Sequence, residues 1–177
     1  MPALRQPPYL RKIICKAKLY NTDRKNHDQG RKKCHLSEKN GTPCCVCPFT
    51  YNNTSEIETK VTKTKHKIKG DLDCKTTNGI YYWRCTKDKC ANNPCNEYVG
   101  KTKRTFQARY YNHITYVRTE KTSEVSGEHF SQKGHKLEHM KGLLIEKVHN
   151  PDPVALSIRE KYYVNKFDTY KRGLNRE

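Results

Sequence analysis

The chain has no run of about 18 consecutive apolar residues, which excludes a membrane-spanning helix. Hydrophobic residues are few, 33% with a single Trp, and the mean hydropathy of −1.07 excludes a large apolar core. Negative charge is scarce as well: 18 Asp and Glu face 36 Lys and Arg, a formal net charge of +18. Cations in that excess repel one another on folding, and a polyanion relieves the repulsion, so nucleic acid is the first partner to consider. Met1 to Leu10 lacks the apolar stretch of a secretory signal, and an intracellular, reducing setting is expected.

Cysteine, by contrast, is plentiful. Nine are present, an odd number without an export signal, which argues against a disulfide framework. They cluster: Cys44, Cys45 and Cys47 lie together, and Cys85, Cys90 and Cys95 follow at five-residue steps. Clustered thiols in a reducing compartment point to metal ligands before catalytic groups.

A length of 177 residues suits one domain, or one domain with a small satellite. Charge does not divide the chain, but apolar patterning does. Tyr9 to Leu19 has Leu10, Ile13, Ile14 and Ala17 at helical spacing and reads as a short basic helix. Asn21 to Thr59 has almost no periodic apolar signal, so a metal is expected to hold it. Val61 to Ile68 alternates and reads as an exposed strand. The second half reads as an ordinary α/β domain. Ile80 to Arg84 and Glu97 to Val99 form a hairpin around a cysteine-rich loop, Thr102 to Val117 is a helix, and Leu143 to Val148 is a third strand. Asp152 is an N-cap followed by Pro at the first helical position, and the helix it opens places Leu156, Glu160, Tyr163 and Phe167 on one face. The expected division is therefore residues 1–75, a basic helix with a cysteine-rich zinc-binding linker, and residues 76–177, a folded α/β domain.

Glu160 does not fit a purely structural helix, because a carboxylate on an apolar face must be paired, protonated or metal-bound. Arg109 sits between Phe106 and Tyr110 with His113 four residues on, so Arg109 and His113 share a face. A carboxylate for a divalent cation, an Arg for a phosphate, a His and strand tyrosines together make the parts of a phosphodiesterase site.

Gly79-Ile80-Tyr81, Tyr98-Val99-Gly100, Arg109, His113, Glu160 and Asn175 occur in the order of the GIY-YIG endonuclease superfamily. The chain most resembles the endonuclease of Penelope-like retroelements with its upstream cysteine-bearing linker. That narrower match rests on Val99 to Phe106, Glu128-His129-Phe130, Gly134-His135, Arg159 to Tyr163, Gly173-Leu174-Asn175, and upstream on Pro43 to Cys47 and Asp73-Cys74. The hairpin loop departs from the family pattern, being longer and holding a third cysteine.

The resemblance implies a small mixed β-sheet flanked by helices, and an enzyme that nicks DNA to leave a 3′-hydroxyl from which reverse transcription can start. It assigns Glu160 a Mg²⁺ or Mn²⁺ ion, Tyr81 or Tyr98 (Tyr81 preferred) the activation of water, and Arg109 the developing phosphorane charge. His113 would assist, and Asn175 would lie beside the site. Gly100, Lys101, Lys103, Arg104 and Arg118 would meet DNA. A first structural zinc would use Cys85, one of Cys90 and Cys95, His129 and His135, with a third cysteine able to replace a histidine. A second would use Cys34, Cys44, Cys47 and Cys74, with Cys45 the alternative to Cys44 and His35 a competing ligand. DNA, a reverse transcriptase and element RNA are the implied partners, a membrane is not, and the nucleus is the implied location. A zinc-stabilised nucleic-acid-binding module without catalysis accounts for charge and cysteines equally well, but not for Glu160 or for the joint placement of Tyr81, Tyr98 and Arg109.

Overall fold

A computed structural model of the chain describes residues 34, 44–51, 54–60, 62–91, 96–149 and 152–176. The basic helix expected over residues 9–19 lies outside them, as do His35 and Cys95. The architecture is α+β, with two small antiparallel sheets. β1 (Glu56–Glu58) and β2 (Lys65–Lys67) form one; β3 (Gly79–Cys85), β4 (Glu97–Thr102) and β5 (Met140–Lys147) form the other, in the order β4-β3-β5. The helices are α1 (Asp88–Ala91), α2 (Phe106–Arg118), α3 (Val125–Phe130) and α4 (Pro153–Phe167).

The expected mixed sheet is corrected. β4 and β5 run parallel to each other, but β3 lies between them and pairs antiparallel with both, so all strand ladders are antiparallel. A single bridge, Thr50 to Gly142, is the one parallel pairing among the described residues.

β3 organises the core through its two faces. Tyr81 and Trp83 point to α2 and α3, meeting Phe106, His113 and Phe130. Tyr82 points the other way, to Phe167 of α4. With five consecutive buried residues, β3 is buried on both faces, as a central strand must be.

Element ends moved from their sequence expectations for local reasons. β4 continues through Gly100 to Thr102, which stays paired with Gly79, so α2 starts four residues later than expected. Thr105 caps it, its hydroxyl accepting from the Ala108 N–H. The exposed strand contracts to Lys65–Lys67, because Lys63 adopts φ 53° in the turn joining it to β1. Asp152 caps α4 as expected, accepting from Ala155 N, and Leu156, Tyr163 and Phe167 are buried. β1, α1 and α3 carried too little periodic signal to be read from sequence.

The cysteine-rich segment joins the rest directly. The first N–H groups of α2, from Phe106 and Gln107, donate to the carbonyls of Thr76 and Cys74 at 2.9 Å, satisfying helix donors that have no partner within the helix. No described helix is long and apolar enough to cross a membrane.

Candidate active site and metal centres

Tyr81, Tyr98, Arg109 and His113 of the resemblance-assigned residues converge on one largely buried cluster. The Arg109 Nε donates to the Tyr81 hydroxyl at 3.0 Å, and that hydroxyl lies 2.8 Å from His113 Nε2. His113 Nδ1 lies 3.1 Å from the Ser126 hydroxyl. With Arg109 donating to the phenol oxygen, the phenol proton is directed at Nε2, and His113 carries its proton on Nδ1 toward Ser126. Burial and the neighbouring Arg109 charge lower the His113 pKa to about 3, so the ring is a neutral acceptor.

Burial raises the Tyr81 phenol well above its ordinary range, and Arg109 opposes the rise without overcoming it. Tyr98 is raised in the same way, by burial against the opposing pull of Arg109 and Tyr81. Both tyrosines therefore hold their protons in this site.

Tyr81 is 0% exposed, whereas Tyr98 lines a cavity of about 610 Å³ together with Glu160, Lys161, Asn165, Asn175 and Arg176. Of the two tyrosines, Tyr98 is thus the one placed to meet water or a phosphate.

Glu160 does not occupy the centre of the apolar stripe. It lies on the flank of α4, with its side chain 24% exposed, and Oε2 receives Lys101 Nζ at 2.6 Å. Ser157, one turn earlier, accepts from the same ammonium. Lys101 thus bridges β4 and α4.

Asn175 stands beside the site, but its amide is engaged with backbone. Oδ1 accepts from Val99 N at 2.9 Å and Nδ2 donates to Val99 O at 2.7 Å, which closes the open edge of β4 as a neighbouring strand would. Gly100 is buried inside the cluster. Lys103 and Arg104, just after β4, and Arg118, at the end of α2, are exposed and do not line the cavity.

Among the described residues, two groups of ligand atoms are close enough to hold a metal ion. In each, all four atoms lie within 4.8 Å of one another: Cys34, Cys44, Cys47 and Cys74 in one, Cys85, Cys90, His129 and His135 in the other. Cys45 is exposed and outside the first set, so Cys44 is the member of the pair that turns inward. In the second set the described loop cysteine is Cys90, with its Sγ 3.0 Å from His135 Nε2, while Cys95 lies outside the described residues. His129 Nε2 is buried with no hydrogen-bond partner among the described residues, and burial followed by the His135 charge lowers His129 to about 4. A buried neutral imidazole with an orphaned nitrogen beside two thiols fits a soft or borderline cation.

No family model matches this chain, and no curated protein and no solved structure matches it.

Sequence reading missed Ser126 and Glu97. Ser126 is fully buried behind His113 on a short helix with no apolar period, and nothing in the sequence marks it. Glu97, also fully buried, accepts from the Tyr82 hydroxyl and from Lys60 N, both at 2.6 Å, tying the linker to β4. Its position at the start of a strand among polar loop residues hid it.

Proposed function

We propose that this protein is a metal-dependent DNA endonuclease of the GIY-YIG type, related to the endonucleases of Penelope-like retroelements, that nicks DNA by phosphodiester hydrolysis. One observation carries the reading: Tyr81, Tyr98, Arg109 and His113, from three separate elements, converge on one cluster whose open side leads to Glu160.

The residues fit a Mg²⁺ or Mn²⁺ ion of the kind held by one protein carboxylate and substrate phosphate oxygens. Glu160 would hold it, exchanging the Lys101 ammonium for the ion and freeing Lys101 to meet a phosphate. When bound, the ion polarises the phosphate and stabilises the leaving oxygen.

The protein's own groups do the rest. Arg109 faces the developing phosphorane charge. Tyr98 takes the proton of the attacking water while its own proton moves by way of Tyr81 to His113 Nε2. An isolated imidazolium is disfavoured there, by burial and by Arg109. A phosphate at Arg109 offsets the second and smaller of these, so substrate in place eases the proton transfer to His113. Ser126 holds His113 in the tautomer that accepts.

The two four-ligand sets act as structural zinc sites, Cys₄ in the linker and Cys₂His₂ joining the β3–β4 loop to α3 and the residues after it. The +18 chain supplies attraction to the DNA backbone. A reverse transcriptase and element RNA in the nucleus are the proposed partners.

Nicking of supercoiled plasmid with Mg²⁺ tests this. Wild type should nick, and Glu160→Ala should bind DNA but not nick. An alanine variant as fast as wild type removes Glu160 from the site. A wild type that binds without nicking makes the protein a non-catalytic zinc-stabilised binder.

A further inference from the structure

On the far flank of α4 from Glu160 lies a second, larger depression of about 890 Å³. One wall is β2 and the residues after it, where Lys65, Lys67 and Lys69 are exposed and alternate with half-buried His66 and buried Ile68. Alternation at that period sends the lysines out on one side, about 6.6–6.8 Å apart along the strand. The other wall is α4, with Tyr162 and Lys166, and Lys147 stands at the end of β5. Two acidic residues line this trough, Asp71 and Glu146, and Glu146 is taken up by Arg159 in bonds of 2.6, 3.0 and 3.1 Å, so it does not neutralise the lysines.

Tyr162 is 46% exposed, with the Arg159 guanidinium 4.7 Å and Lys166 Nζ 5.8 Å from its ring centre. A half-exposed phenol ring on the α4 wall, with cations over it and lysines on the facing β2 wall, offers a base a stacking surface and its phosphates positive charge. We propose that this trough binds single-stranded nucleic acid, with lysine-to-phosphate contacts along β2 and one base stacked on Tyr162.

Shape favours a single strand over a duplex. A depression of about 890 Å³ takes a few nucleotides of one strand and less than a turn of duplex, with basic residues on both the β2 and the α4 sides. Glu58 and Glu56 of β1 stand opposite Lys65 and Lys67 in the ladder, but Lys69, Lys147 and Lys166 keep the trough basic, and no role in the proposed hydrolysis uses these residues. The trough and the cavity at Glu160 share α4, with Glu160 on one flank and Arg159, Tyr162 and Lys166 on the other. On the endonuclease reading, the strand held there is one released at the nick; binding itself does not depend on that reading.

The test uses the full-length protein, a fluorescent mixed-sequence single-stranded oligonucleotide and a hairpin duplex of the same sequence, titrated across a salt series. Two variants are compared with wild type, Tyr162→Ala and the triple Lys65→Gln, Lys67→Gln, Lys69→Gln, with folding confirmed by circular dichroism and metal content. Tyr162→Ala should weaken single-strand binding by roughly 5- to 150-fold and leave duplex binding within twofold. The triple variant should lower the single-strand log–log salt slope by about 2, at about 0.7 per lost phosphate contact. Unchanged single-strand binding in both variants overturns the proposal. Equal losses for single strand and duplex also overturn it, because they make the trough a flank for duplex DNA. Plasmid nicking, measured in parallel, separates the two readings: a wild type that fails to nick but shows the expected losses refutes the endonuclease and keeps the trough.

Discussion

Tyr81 and Gly100 face each other across the β3–β4 ladder, and the Tyr81 hydroxyl fills the space that a side chain at position 100 would need. A Cβ there would lie 2.4 Å from the Tyr81 oxygen and 2.8 Å from the Tyr98 ring. The glycine is required by this close approach of two tyrosines, since its backbone is that of an ordinary strand residue.

Gly100→Ala should therefore displace both phenols while leaving the ladder intact. Overpacking of this kind costs about 1–3 kcal/mol, so a folded protein with a lowered Tm is expected. Nicking should fall at least tenfold, read on supercoiled plasmid at a temperature where circular dichroism shows the variant folded. Full activity in a folded variant would detach the tyrosine pair from catalysis.

His113 sets an acid limit on stability. Its pKa is about 3 in the folded protein and about 6.5 in an unfolded chain. Above pH 6.5 the ring is neutral in both states and its contribution is complete. Between 6.5 and 3 the unfolded chain binds a proton that the folded protein refuses, so stability falls by up to about 1.4 kcal/mol per pH unit. Urea unfolding of wild type and His113→Gln at pH 7, 5.5 and 4.5 isolates this contribution from the other histidines. The stability difference between the two should shrink as pH falls, and a constant difference would refute the assignment.

Lys101 and Glu160 should matter for turnover and little for folding. Their side chains are 40% and 24% exposed, and partly exposed pairs contribute about 0–1 kcal/mol. Lys101→Met should leave Tm within a few degrees, lower nicking and shift the Mg²⁺ dependence, because the carboxylate loses the cation that competes with the metal. Unaltered metal dependence would show that Lys101 does not share the Glu160 carboxylate with a metal.

Metal analysis of protein purified without chelator should find about two zinc ions per chain. Cys85→Ser and Cys74→Ser should each lose one, and Cys45→Ser neither. Cys74 adds a second readout, since its carbonyl receives the Gln107 N–H at the start of the helix that carries Arg109 and His113. Cys74→Ser should thus also lower nicking. A well-folded protein without metal would refute both sites.

Sequence by itself determined the strand and helix types around the site, the order of the chemistry-bearing residues and the two sets from which metal ligands are drawn. The element types are matters of periodicity and capping, as the Asp152 cap illustrates; the order of the site residues and the ligand sets came from clustered cysteines and the family resemblance. Tertiary structure alone decided which members of near-equivalent pairs turn inward or reach the cavity. Cys44 turns in while Cys45, its neighbour, faces solvent; Tyr98 meets the cavity while Tyr81 is sealed behind it. Glu160 moved from the apolar stripe to its flank because Lys101, 59 residues away in the chain, comes up from β4 to meet it. Ser126 came to His113 only through the packing of α3 on α2. Burial and distance between remote segments control each of these, and neither quantity is encoded in the spacing of residues along a single chain.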